Sequence, residues 1–178
     1  MASLNSVPRI RRARAGLVIV VAASLGAHAL GATVVQGAQT DSSSVERGRY
    51  LAMVAGCNDC HTPEYMESAG QVDEKLWLTG SSLGWHGPWG TTYPPNLRLV
   101  AGTLTEEQWV LDARTPRRPP MPWYALRDMT DADVKSIYRY LKHMGPAGQP
   151  APAPLAPGQE PPEPVFRAPM PVSRTSDD

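Results

Sequence analysis

Apolar residues run almost unbroken from Ala15 to Ala32, then recur at helical spacing in three separate stretches, and lose all period after Gly145. The clearest stretch is Val134, Ile137, Tyr138, Leu141 and Met144. This stripe predicts a helix over 131–144. Thr130 stands at its cap position, Asp131 and Asp133 fall in its first turn, and Gly145-Pro146 stops it. Lys142 and His143 suit the dipole of its last turn, which makes His143 a surface residue. A second helix is predicted from Thr105 to Arg114, where Thr105 and Gln108 have capping-box spacing and Trp109 and Val110 supply apolar contacts. A third is predicted over 44–55, opened by Ser43 and Glu46 and lined by Gly48, Leu51, Ala52 and Ala55. Gly48 costs that helix about 1 kcal/mol relative to alanine. Close approach of another helix would compensate; a tolerated surface glycine is the bland alternative.

Between these helices, residues 64–104 show no period. They hold Gly80, Gly84, Gly87, Gly90 and Gly102, the pair Pro94-Pro95, and Trp77, Trp85, Trp89 and Tyr93. Little regular structure is expected there. A loop region of that length in a small domain is usually functional or wrapped around something. A flat apolar cofactor would serve, and so would simple filling of a small core.

Charge and composition sharpen the ends of the chain. The four arginines of residues 1–38 (Arg9, Arg11, Arg12 and Arg14) are accompanied by no acid and precede the apolar run. That is the layout of a secretory signal, with a small-x-small cleavage pattern at Ala27-His28-Ala29; a later cut after Ala38 is open too, although Gln36 suits the third position before it poorly. The competing reading is an uncleaved membrane anchor. Without those four of its 17 basic residues, the remainder has 13 against 17 acidic, a net charge near −4. Such a body does not suit nucleic acid, which needs a basic face. From Gly145 onward ten of 34 residues are proline. The expectation is a semi-extended tail, either disordered or wrapped on the domain through Pro164, Val165 and Phe166, and not a second domain. The organisation read from this is 1–38 signal or anchor, 39–147 one folded domain, and 148–178 proline-rich tail.

The chemistry lies in Cys57-Asn58-Asp59-Cys60-His61, which contains both cysteines of the chain. C-x-x-C-H reads as a c-type haem attachment site. Two thiols on one tight turn can reach the two vinyl groups of a porphyrin edge, and the next imidazole can bind the iron from the proximal side. A redox dithiol would want a βαβ pattern, and zinc would want two further ligands; neither is visible. The opposite axial ligand is expected from Arg117-Arg118-Pro119-Pro120-Met121-Pro122-Trp123, where prolines stiffen a non-helical loop around Met121. A thioether is a weak neutral donor, so it needs such mounting, and it raises the reduction potential. A methionine used as gap-filler is the commoner fate of the residue. His86 is the runner-up ligand, giving a bis-histidine site. A backbone carbonyl near Gly87-Pro88 is the candidate acceptor for the other ring nitrogen of His61. Arg117 and Arg118 are either solvated or paired with haem propionates.

Taken together, a helix, C-x-x-C-H, a glycine- and aromatic-rich middle, a proline-flanked methionine and a terminal amphipathic helix resemble the class I cytochrome c domain. Gly48-Arg49-Tyr50-Leu51, the run Pro88 to Asn96 and Pro120-Met121-Pro122-Trp123 are similar to phrases in the cytochrome modules of bacterial membrane-bound alcohol and gluconate dehydrogenases. The resemblance covers about residues 45–145. It implies a mostly α class I cytochrome c fold, with helices wrapped around one covalent haem c and its iron. It implies that Cys57 and Cys60 carry the haem, His61 is proximal and Met121 distal. It further implies periplasmic one-electron transfer between a dehydrogenase donor and a cytochrome or oxidase acceptor of the respiratory chain, with no catalytic residue. Membrane association would come through an uncleaved N-terminus. Those dehydrogenase subunits carry three such modules and this chain one, which leaves a complex subunit and a free shuttle both open. A haem enzyme or ligand sensor with a labile distal position is the reading from another class.

Overall fold

The computed structural model describes residues 32–168. Most of the signal expectation, residues 1–31, lies outside the described residues. Among the described residues, six helices and three short strands follow in the order α1 (Ala32–Val54), α2 (Cys57–His61), β1 (Gly84–Gly87), β2 (Gly90–Thr92), α3 (Leu97–Thr103), α4 (Glu106–Ala113), α5 (Trp123–Asp128), α6 (Asp131–Met144) and β3 (Val165–Arg167). A 3-10 turn spans Glu74–Leu76.

The organising contact is α1 against α6. Gly48 is buried at their crossing, and a Cβ built on it would lie 2.0 Å from the Ser136 carbonyl oxygen and 2.8 Å from Tyr140 Cβ. The helix penalty of this glycine is therefore the condition of a close crossing, the first of the two alternatives. Ser44 and Ser136 meet hydroxyl to hydroxyl at 3.2 Å, and Arg47 pairs with Asp133 at 3.0 Å along the same seam. The core beneath is Leu51, Ala52, Trp77, Leu78, Ala101, Trp109, Ala113, Val134, Ile137, Tyr140 and Leu141.

Helix α6 has the expected bounds: the Thr130 side chain accepts from Asp133 N–H, and Gly145 ends it with a positive φ of 67°. Tyr140, which the apolar stripe does not include, is among its most buried residues: it lies against Gly48 at the crossing, and its hydroxyl is satisfied by donating to Glu74 at 2.8 Å. Helix α4 carries the reciprocal capping box of Thr105 and Gln108. Helix α1, in contrast, begins at Ala32 and not near Ser44, so Ser43 lies inside a helix and does not cap one. The capping-box spacing there is coincidental, since a serine followed by a glutamate one turn later also fits a helix interior.

The stretch 64–104 is more regular than its composition suggests. It contains the antiparallel hairpin β1–β2, the 3-10 turn and α3, which Asn96 caps by accepting from Arg98 and Leu99 N–H. Hairpin and α3 are too short to show a hydrophobic period. The proline-rich segment, as far as residue 168, lies on the domain: β3 pairs parallel with β1, and the Phe166 ring packs on Trp85 at 4.6 Å. No helix among the described residues is long and apolar enough to cross a membrane.

Candidate haem site

Helix α1 delivers the chain to the motif through Gly56, whose φ of 72° makes the left-handed turn an L side chain rarely adopts. Cys57, Cys60 and His61 then share the short helix α2, and both cysteines are free. Burial pushes the Cys57 thiol up to about 11, and raises Cys60 as well. A redox dithiol needs a thiol lowered toward neutral pH, so these shifts run against that reading. Among the described residues no three His, Cys, Asp or Glu side chains gather to hold a metal ion. A zinc site thus lacks its further ligands there.

His61 is the fixed point. It is buried, and its Nδ1 lies 2.8 Å from the carbonyl oxygen of Pro95. That contact makes Nδ1 the donor and leaves Nε2 with its lone pair for a metal. The acceptor is Pro95 and not the expected Gly87-Pro88 segment, which turns away into the hairpin. Pro95 is held by the neighbouring Asn96, whose side chain caps α3 and donates to Ala147 O at 2.7 Å. The backbone of the turn is equally tied. Gly80 N–H donates to His61 O at 2.7 Å, Thr62 Oγ1 donates to Asn58 Oδ1, and Leu78 N–H donates to Thr62 Oγ1, each of the last two at 2.8 Å. Burial lowers the His61 pKa, with the Pro95 bond opposing, which favours the neutral imidazole that ligates iron.

Met121 stands on a different element, the non-helical segment between α4 and α5, and is half-buried. Met53, Met129 and Met144 pack against the core; Met121 does not join them. Its loop is anchored from three sides. Arg117 pairs with Asp112 at 2.6 Å, Thr92 Oγ1 donates to Pro119 O at 2.9 Å, and Arg118 donates to Leu155 O at 3.2 Å. Arg117 and Arg118 therefore bind protein groups. His86, the runner-up ligand, has its Nδ1 2.8 Å from Thr91 Oγ1 within the hairpin.

The donor set fits a c-type haem. Two free thiols and an oriented imidazole share one turn. Two buried donors, Trp89 Nε1 and Asn58 Nδ2, have no hydrogen-bond partner among the described residues. Neither orphan donor is singled out by the sequence, since an indole in a hairpin turn or an amide at an open position of C-x-x-C-H carries no signal of its own. A cleft of about 450 Å³ opens beside Cys60, walled by Met66, Leu83, Trp85 and the tail prolines Pro150, Pro152 and Pro164.

The cytochrome c family model matches residues 45–145. The chain is 32% identical over 117 residues to the fructose dehydrogenase cytochrome subunit of Gluconobacter japonicus, covering 61% of this chain and 23% of that protein. It is 28% identical over 123 residues to a nicotinate dehydrogenase subunit of Pseudomonas putida, covering 63% and 10%. It is 28% identical over 133 residues to the cytochrome c subunit of a quinone alcohol dehydrogenase of Komagataeibacter europaeus, covering 67% and 26%. The chain thus spans about a quarter or less of the length of these relatives. No solved structure matches it significantly.

Proposed function

This chain belongs to the cytochrome c family, and we propose that it is a periplasmic single-haem carrier in which His61 and Met121 are the axial ligands. Its cofactor is haem c, which supplies a one-electron iron couple when bound. Cys57 and Cys60 hold the group by two thioethers. His61 offers Nε2, with the ring orientation and basicity set by the Pro95 carbonyl. The observation that carries this reading is that geometry: two thiols on one turn, next to an imidazole whose second nitrogen is already committed to a fixed acceptor.

Met121 as the opposing ligand is supported by its proline-rich loop; it stands outside the core that takes up Met53, Met129 and Met144, as does Met66, which is too near His61 along the chain to reach the opposite face easily. A neutral sulfur favours the reduced iron and so raises the potential. With both axial positions filled, the protein binds no substrate at iron; its residues hold the ligands still while charge changes by one. The donor is a dehydrogenase, a reading supported by the names of the three relatives, and the acceptor is a cytochrome or oxidase. Residues 39–147 form the cytochrome domain, preceded by an export signal.

The test is to express the full chain in a bacterial host with cytochrome maturation. The expected product carries one haem by mass, shows the weak near-infrared sulfur–iron band when oxidised, and resists carbon monoxide when reduced. Met121→Ala abolishes the band, lowers the potential and opens the reduced iron to carbon monoxide. A bare polypeptide mass refutes the cofactor assignment. An unchanged band in Met121→Ala refutes the ligand assignment, and ready carbon monoxide binding by the parent favours a ligand sensor.

A further inference from the structure

The proline-rich segment after α6 touches both the residue beside the His61 acceptor and the loop that carries Met121. At its start, Asn96 Nδ2 donates to Ala147 O and Gln149 O, so the residue next to the His61 acceptor is tied to the tail. Further on, Leu155 forms a two-way bridge with Thr91: Leu155 N–H donates to Thr91 O at 2.9 Å, and Thr91 N–H donates to Leu155 O at 3.1 Å. The same Leu155 carbonyl accepts from Arg118. Thr92, adjacent to Thr91, donates to Pro119 O. The strand β2, the tail and the loop before Met121 thus form a closed triangle, with Leu155 O at the shared corner. Contact is close enough that a Cβ on Gly90 would lie 2.2 Å from Leu155 O and 2.8 Å from Ala156 C.

The methionine loop needs such support. Pro116, Pro119, Pro120 and Pro122 have no backbone N–H, so this segment cannot tie itself down through a ladder. We propose that the tail is a strap whose Leu155 carbonyl, through Arg118, positions the Met121 loop for axial ligation. The proposal rests on the assignment of Met121 as the distal ligand. Arg118 and Leu155 are positioning residues: they act on the thioether through the loop.

The experiment uses the haem-loaded full chain and two variants. Arg118→Gln removes the charged donor at the corner, and Gly90→Ala pushes the strap off β2. Two quantities are read: the temperature at which the sulfur–iron band fades and the rate of carbon monoxide binding to the reduced protein. Loss of one such tie is expected to speed carbon monoxide binding about threefold in Arg118→Gln and about tenfold in Gly90→Ala. The band is expected to fade at lower temperature in both, and Arg118→Lys, which keeps a charged donor, to restore most of the parental behaviour. Parental rates and fading temperature in Arg118→Gln overturn the strap role while leaving Met121 as ligand. A parent without the band overturns the ligand assignment and the strap role together. If Gly90→Ala fails to take up haem, Arg118→Gln decides the question.

Discussion

Replacing Gly48 by alanine adds one methyl group where two helices touch. The new Cβ would sit 2.0 Å from the Ser136 carbonyl oxygen, 2.6 Å from its carbon and 2.8 Å from Tyr140 Cβ. Carbon atoms reach their ordinary contact only near ~3.5 Å, so α1 and α6 must part by roughly 1 Å or more. The atoms in the way are helix backbone and a Cβ, which cannot rotate aside as a side-chain tip would. Overpacking of this kind costs typically ~1–3 kcal/mol, and the backbone overlap puts this case at the upper end. Alanine returns about 1 kcal/mol through its better helix propensity. The net expectation is a loss of about 2 kcal/mol, or about 1 M in urea midpoint at an ordinary slope for a small domain. The assay is urea unfolding of the haem-loaded protein, followed by circular dichroism and haem absorbance. Gly102 in α3 is the matched control, because nothing lies within 4 Å of its Cβ position. Gly102→Ala is expected to gain up to about 1 kcal/mol. A Gly48→Ala midpoint equal to or above the parent refutes the reasoning about the crossing.

Three further outcomes are expected. Arg98 is buried and donates to the carbonyls of Gly145 at 2.5 Å, Met144 at 2.6 Å and Lys75 at 2.7 Å, joining the end of α6 to the 3-10 turn. Arg98→Lys keeps the charge but not the fork, leaves carbonyls unpaired and is expected to cost about 2 kcal/mol in the same unfolding assay. The Arg49 hydrogen bond holds the Glu74 carboxyl below its ordinary range, with Tyr140 adding to the effect. Its stabilising contribution is complete above the unfolded value of about 4.3 and is lost as pH falls through the lower folded value, because the unfolded chain takes the proton first. Glu74→Gln should therefore flatten the acid limb of a midpoint-against-pH plot; an unaltered limb would disprove the link. Thr105→Ala removes one half of the capping box of α4 and should cost about 1 kcal/mol, while Thr103→Ala, an exposed control outside the cap, should cost less.

Features written in short-range chemistry are legible in the sequence. The span Asp131–Met144 and the caps at Thr105 and Thr130 each depend on residues within a few positions of one another. So does the candidate haem site, since its two thiols and imidazole fall on one turn. The start of α1 misleads for the converse reason: Ser43 and Glu46 satisfy a local pattern, but the chain before them is already helical.

What the local pattern could not contain were pairings between distant segments. Pro95 becomes the acceptor for His61 across 34 residues because the chain between them folds back through the Gly80–His61 bond. Leu155 meets Arg118 across 37 residues, and its bridge to Thr91 exists only once the hairpin has formed. Tyr140 lies against Gly48 of α1 and bonds Glu74 of the 3-10 turn, partners on two other elements that its own helix does not reveal. A periodicity or a motif reports what neighbours along the chain favour; which carbonyl waits beside a histidine, and which tail presses on a loop, is set by packing, where each choice holds only if all the others are made together.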